Sequence, residues 1–178
     1  MKHRLADKAI KKQLSEDPPV ILPVAWENVK NIGMIFQAND QAMIKEAEQL
    51  AGLWEKEGKK VQVLIYVADV KKTPFENRNN WQRCTKKDFS SAGVPKSSFI
   101  QQFIKEPFDL LVDLNISGQV RLYSISVLSK AKFKIGADLS FNKHLPFTVD
   151  ISKSSEPYTV FTLGQELVHQ LKKIQFNI

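Results

Sequence analysis

Residues 106–138, EPFDLLVDLNISGQVRLYSISVLSKAKFKIGAD, read as a strand, a turn, an amphipathic helix and a second strand. Phe108 to Leu114 is the most apolar of the strand segments, as expected of a central strand covered on both faces. Val120, Tyr123, Val127 and Leu128 take stripe positions on a helix expected over Gln119 to Ala131. Lys132 to Gly136 then forms the next strand. Joins this short imply parallel neighbours linked by a right-handed crossover.

The same grammar recurs upstream. KNIGMIFQA (30–38) is a strand, and Asn39 or Asp40 caps a helix that ends at Gly58. Met43, Ala47, Leu50, Ala51 and Trp54 fall on one side of that helix, and KVQVLIYVA (60–68) is the second strand. Asp69 to Asn80 is a polar loop, and Trp81 to Phe89 is a weaker strand near an edge. Ser97 or Ser98 caps a short helix, LPFTVDI (145–151) is a sixth strand candidate, and Pro157 to Ile174 is the last helix. Residues 18–178 therefore read as a three-layer α/β/α Rossmann-like domain with a mainly parallel sheet of five or six strands. Residues 1–17 form a separate basic amphipathic helix, broken by Pro18 and Pro19, that docks on the domain or on a partner.

With 43% hydrophobic and 25% charged residues the composition is that of a soluble globular protein. No apolar run reaches the ~20 residues that span a bilayer, and no secretory signal is visible. A lone cysteine, Cys84, excludes an internal disulfide and suits the cytoplasm. The net charge of +7 suits an anionic partner.

In an open parallel sheet ligands bind beyond the carboxyl ends of the strands. Asn39, Asp40, Asp113, Asn115 and Ser117 occupy those ends and form the candidate crevice, although the same residue types also serve as ordinary caps and turns. There is no GxGxxG after the first strand and no GxxxxGK[ST], so no nucleotide cofactor is expected. The histidines are scattered, and Glu166 with His169 supplies only half of a helical metal motif, so no metal is expected either. The basic flanks of Cys84 would favour its thiolate, while a buried cysteine would be inert.

Positive charge clusters at Arg4, Lys8, Lys11 and Lys12, and again through Arg83, Lys86 and Lys87. Trp81 and Phe89 lie within the second cluster; they either stack bases or face the core. The segments FDLLVDLN (108–115) and SKAKFKIGAD (129–138) resemble the first domain of heptosyltransferase-like GT-B glycosyltransferases, which implies a degenerate sugar-nucleotide site at the strand ends. KNIGMIF (30–36), KKDFSSAGVPK (86–96), PFDLLVDLN (107–115) and LSKAKFKIGAD (128–138) are together similar to a family of small uncharacterised Bacteroidetes proteins. That similarity implies an α/β fold and no established activity.

The sequence thus points to a non-catalytic binding protein whose basic surface meets an anionic partner such as RNA or a ribonucleoprotein. Nucleotide or sugar-nucleotide binding at the strand ends is the alternative.

Overall fold

The computed structural model describes residues 10–11, 22–139, 144–153 and 155–174. In chain order the elements are β1 (Asn31–Ala38), α1 (Gln41–Lys56), β2 (Lys60–Val67), β3 (Trp81–Cys84), α2 (Ser98–Lys105), β4 (Leu110–Asp113), α3 (Val120–Leu128), β5 (Phe133–Ala137), β6 (Phe147–Val149) and α4 (Val160–Lys173). The strands form one sheet in the order β3-β2-β1-β4-β5-β6, with every pairing parallel. This is the expected three-layer Rossmann-like arrangement.

Each face of the sheet has its own core. Ile32, Met34 and Phe36 of β1 and Leu110 and Val112 of β4 pack under α1 and α4, against Leu50, Trp54, Leu163 and Leu167. Ile35, Leu64 and Leu111 point the other way, under α2 and α3, against Ile100, Phe103, Leu122 and Ile125. Ile10, a stripe residue of the expected N-terminal helix, is buried in this second core and Lys11 is exposed. The rest of residues 1–17 lies outside the described residues.

Local chemistry sets the helix boundaries. Asp40 Oδ1 accepts the Met43 N–H at 2.9 Å, so Asp40 is the N-cap of α1, and Gly58 at φ 81° ends that helix. The last helix starts at Val160, later than expected, because Thr159 and Thr162 cap each other's backbone N–H groups reciprocally. α3 is shorter than the expected 119–131. It stops before Ser129, whose hydroxyl accepts the Ala131 N–H at 3.2 Å and turns the chain toward β5.

No helix connects β2 to β3. The connecting coil runs beside α1, held by Gln41 Nε2 donating to the Pro74 carbonyl and by an Arg78–Glu48 ion pair. It also closes the outer edge of β3: Trp81 and Arg78 exchange backbone hydrogen bonds, and Asn77 Oδ1 accepts the Arg83 N–H at 2.8 Å. Among the described residues no helix is long and apolar enough to cross a membrane.

Candidate functional site at the switch point

The strand order reverses between β1 and β4, because β1 is followed by a helix on one face and β4 by a helix on the other. The carboxyl ends of these two strands diverge around a crevice of about 190 Å³, floored by Leu114, Ile116 and Met43 and walled by Tyr158. Its polar rim, Gln37, Asn39 and Ser117, belongs to a hydrogen-bonded chain that continues behind it. Gln37 Nε2 donates to Asn39 Oδ1 at 2.6 Å, and Gln37 Oε1 accepts from Ser117 Oγ at 3.0 Å and from Gln119 Nε2 at 3.4 Å. Gln119 Oε1 in turn accepts from Arg121 Nη1 at 3.2 Å. Side chains from β1 and from the β4–α3 turn thereby meet across the switch point.

The turn itself is held by Asn115. Its Oδ1 accepts the Gln119 N–H at 2.8 Å and its Nδ2 donates to the Gln119 carbonyl at 3.0 Å, while Gly118 supplies the φ of 68° that the bend requires. Of the residues expected in the crevice, Asn39 and Ser117 line it. Asp40 is occupied as the helix cap, and the buried Asn115 is scaffold. Gln37 and Tyr158, which line the crevice, and Gln119, which braces Gln37, were not legible in the sequence. The one available signal was Gln37, a polar residue near the end of an apolar strand.

Asp113 lies elsewhere. Strand alternation turns it with Leu111 toward α3, where it is fully buried and its Oδ1 accepts the Asn115 N–H at 3.0 Å. Burial pushes its carboxyl up to about 6, against the opposing pull of the Ser126 hydroxyl, the Asn115 N–H and the Lys134 charge. Lys134, on β5, is also buried; desolvation, helped by Lys130, lowers its ammonium to about 8, while Asp113 pulls it upward. Lys134 Nζ donates to the carbonyls of Ser126 and Val127, and Ser126 Oγ is 3.0 Å from His144 Nε2. His144, in the turn before β6, is thus tied to α3.

The basic clusters divide. Arg4, Lys8 and Lys12 lie outside the described residues. Arg83 is half-buried and spends Nη1 on the Phe75 carbonyl at 2.9 Å. Lys86 and Lys87 are exposed in a 3-10 turn just beyond β3, capped by Thr85 and Asp88. Lys71 and Lys72 are exposed beyond β2, where Asp69 Oδ1 accepts both of their backbone N–H groups. These four lysines share the carboxyl edge of the sheet with the crevice, and among the described residues none enters an ion pair.

Trp81 and Phe89 are both buried, so of the two expectations for them the structure takes the core. Trp81 carries the Arg78 guanidinium 4.9 Å from its ring centroid, and Phe89 stacks edge-on against Tyr66. Of the two readings of Cys84 the structure takes the inert one: the side chain is buried, and desolvation pushes the thiol far above its ordinary range. Glu166 accepts from Gln170 Nε2 at 2.6 Å, and among the described residues no cluster of side chains could hold a metal ion.

No curated protein matches the chain. Residues 2–174 match the model of a family of unknown function, DUF6913, and the chain belongs to that family.

Proposed function

We propose that the protein binds a small phosphate-bearing ligand, of the nucleotide or sugar-nucleotide class, at the switch-point crevice. The observation that carries this reading is the trio Asn39–Gln37–Ser117, which brings hydrogen-bonding side chains from the end of β1 and from the β4–α3 turn to one opening, with Gln119 bracing Gln37 from behind. The crevice is small, so it holds one end of such a ligand. The lysines of the same edge are suited to the phosphates. The local resemblance to GT-B first domains points to the same strand ends. Among the described residues no carboxylate, histidine or cysteine lines the opening to activate the Ser117 or Tyr158 hydroxyl, which favours binding over catalysis.

Recognition of RNA by this edge has less support, because the aromatic rings that would stack bases are in the core. The exposed lysines keep an anionic polymer as the competing outcome. Thermal unfolding with uridine diphosphate, inorganic phosphate or a single-stranded RNA separates the two. A ligand at about 100 times its Kd adds about 2.7 kcal/mol, so uridine diphosphate is expected to raise Tm by several degrees in the wild type and not in Gln37→Leu. Stabilisation by RNA alone, or by neither nucleotide nor phosphate, overturns the crevice reading.

A further inference from the structure

A second cavity is at the opposite edge of the sheet, where β2 and β3 begin, and it has a different chemistry. About 430 Å³ of space lies between these strand ends and one side of α2. Five carboxamides surround it: Gln62, Asn79, Asn80, Gln82 and Gln102. Phe99 and Phe103 supply the apolar wall. Lys105 and Glu106 are the charged lining residues, and their charges cancel. A neutral groove on a chain of net charge +7 does not select anions.

Much of the groove is held in place. Asn80 Nδ2 donates to the Val61 carbonyl at 2.6 Å, and the Asn80 carbonyl accepts the Val63 N–H at 2.7 Å. Phe103 is buried and packs 4.9 Å from Phe108, centroid to centroid. Gln62 is exposed although β2 is buried throughout from Val63 onward, because α2 leaves this position uncovered. Among the described residues the side-chain amides of Gln62, Asn79, Gln82 and Gln102 make no hydrogen bonds, so their donors and acceptors are available to a ligand.

We infer that this groove binds a neutral polyhydroxylated ligand of the saccharide class. Each carboxamide offers two donors and an acceptor, which matches hydroxyls that both give and take hydrogen bonds. A sugar ring also presents an apolar C–H face, for which the half-buried Phe99 is a partner. The volume is within the range of small-ligand sites. The inference does not depend on the switch-point site, which is at the other edge of the sheet.

The test is a titration of the full 15N-labelled chain with maltotriose, cellotriose and chitotriose at about 10 mM, following side-chain NH2 resonances in low salt and in about 500 mM salt. The expected result is movement of the Gln62, Gln82 and Gln102 resonances with at least one trisaccharide, with the same affinity at both salts. The double variant Gln82→Ala/Gln102→Ala, both substitutions on the surface of the groove, is expected to weaken binding about tenfold or more while keeping the wild-type backbone spectrum. Unmoved amide resonances with all three sugars, undiminished binding in the double variant, or a response to free nucleobases in place of sugars overturns the assignment.

Discussion

Lys134 closes the last turn of α3 from below: its buried ammonium donates to the Ser126 carbonyl at 2.8 Å and reaches Val127 at 3.1 Å. A helix leaves its final carbonyls unpaired, and a cation at that end is favourable electrostatically. Here the cation comes from the neighbouring strand, so strand and helix are joined by a polar contact inside an apolar layer.

Replacing Lys134 by Met strands those carbonyls and is expected to cost about 1–3 kcal/mol near neutral pH, read by urea unfolding. The gap should widen in alkali. Burial holds the folded-state pKa near 8, below the ordinary lysine value, so above pH 8 the unfolded chain binds the extra proton and wild-type stability rises with pH. Lys134→Met lacks that rise. An unchanged gap up to about pH 10.5 would show that Lys134 is not desolvated.

Asp113 acts in the other direction. Its folded-state pKa of about 6 exceeds the ordinary aspartate value, so between about pH 4 and pH 6 the native state holds more protons than the unfolded one. Stability from this group is full at the acid end and falls as pH rises through 6. Asp113→Asn keeps an acceptor for the Asn115 N–H and is expected to flatten the unfolding profile across that window. A variant whose profile still falls like the wild type's would assign the dependence to another group.

Two glycines should respond oppositely to alanine. A Cβ at Gly136 would lie 2.9 Å from the Asp113 carbonyl oxygen and 2.6 Å from Leu145 Cδ1, and the backbone oxygen cannot give way. Gly136→Ala is expected to destabilise by about 1–3 kcal/mol. Gly52, inside α1, meets nothing within 4 Å, so Gly52→Ala should stabilise by roughly 0.5–1 kcal/mol through helix propensity. Chemical denaturation of both variants checks the pair, and the same sign for both would contradict the packing described.

Cys84 should be inert in the native protein, since it is buried and its thiol is held protonated by desolvation. Labelling by a maleimide is expected to follow global unfolding and to slow as stability is raised. Rapid labelling under native conditions would instead place the thiol at an accessible surface.

The strand and helix succession was legible because Phe108–Leu114, Ile32–Phe36 and the α1 stripe carry strong apolar signals. The direction of Asp113 was not. In a strand covered on both faces, apolar neighbours on either side give no alternation from which to read which helix layer a polar residue meets. The Gln37–Ser117 contact joins residues 80 positions apart, and the Ser126–His144 contact depends on how β5 is followed, so neither leaves a local trace. The carboxamide groove likewise exists only once β2, β3 and α2 come together. For Trp81 and Phe89 the surrounding lysines suggested a stacking surface, whereas burial of large rings decided their place.

Backbone amide shifts during titration of uridine diphosphate into the labelled chain test the switch-point site most directly. Perturbation concentrated at residues 37–40 and 115–121, weakening as salt is raised, is the predicted result. Perturbation confined to the groove at Gln62 and Gln82, or none at saturating nucleotide, would contradict it.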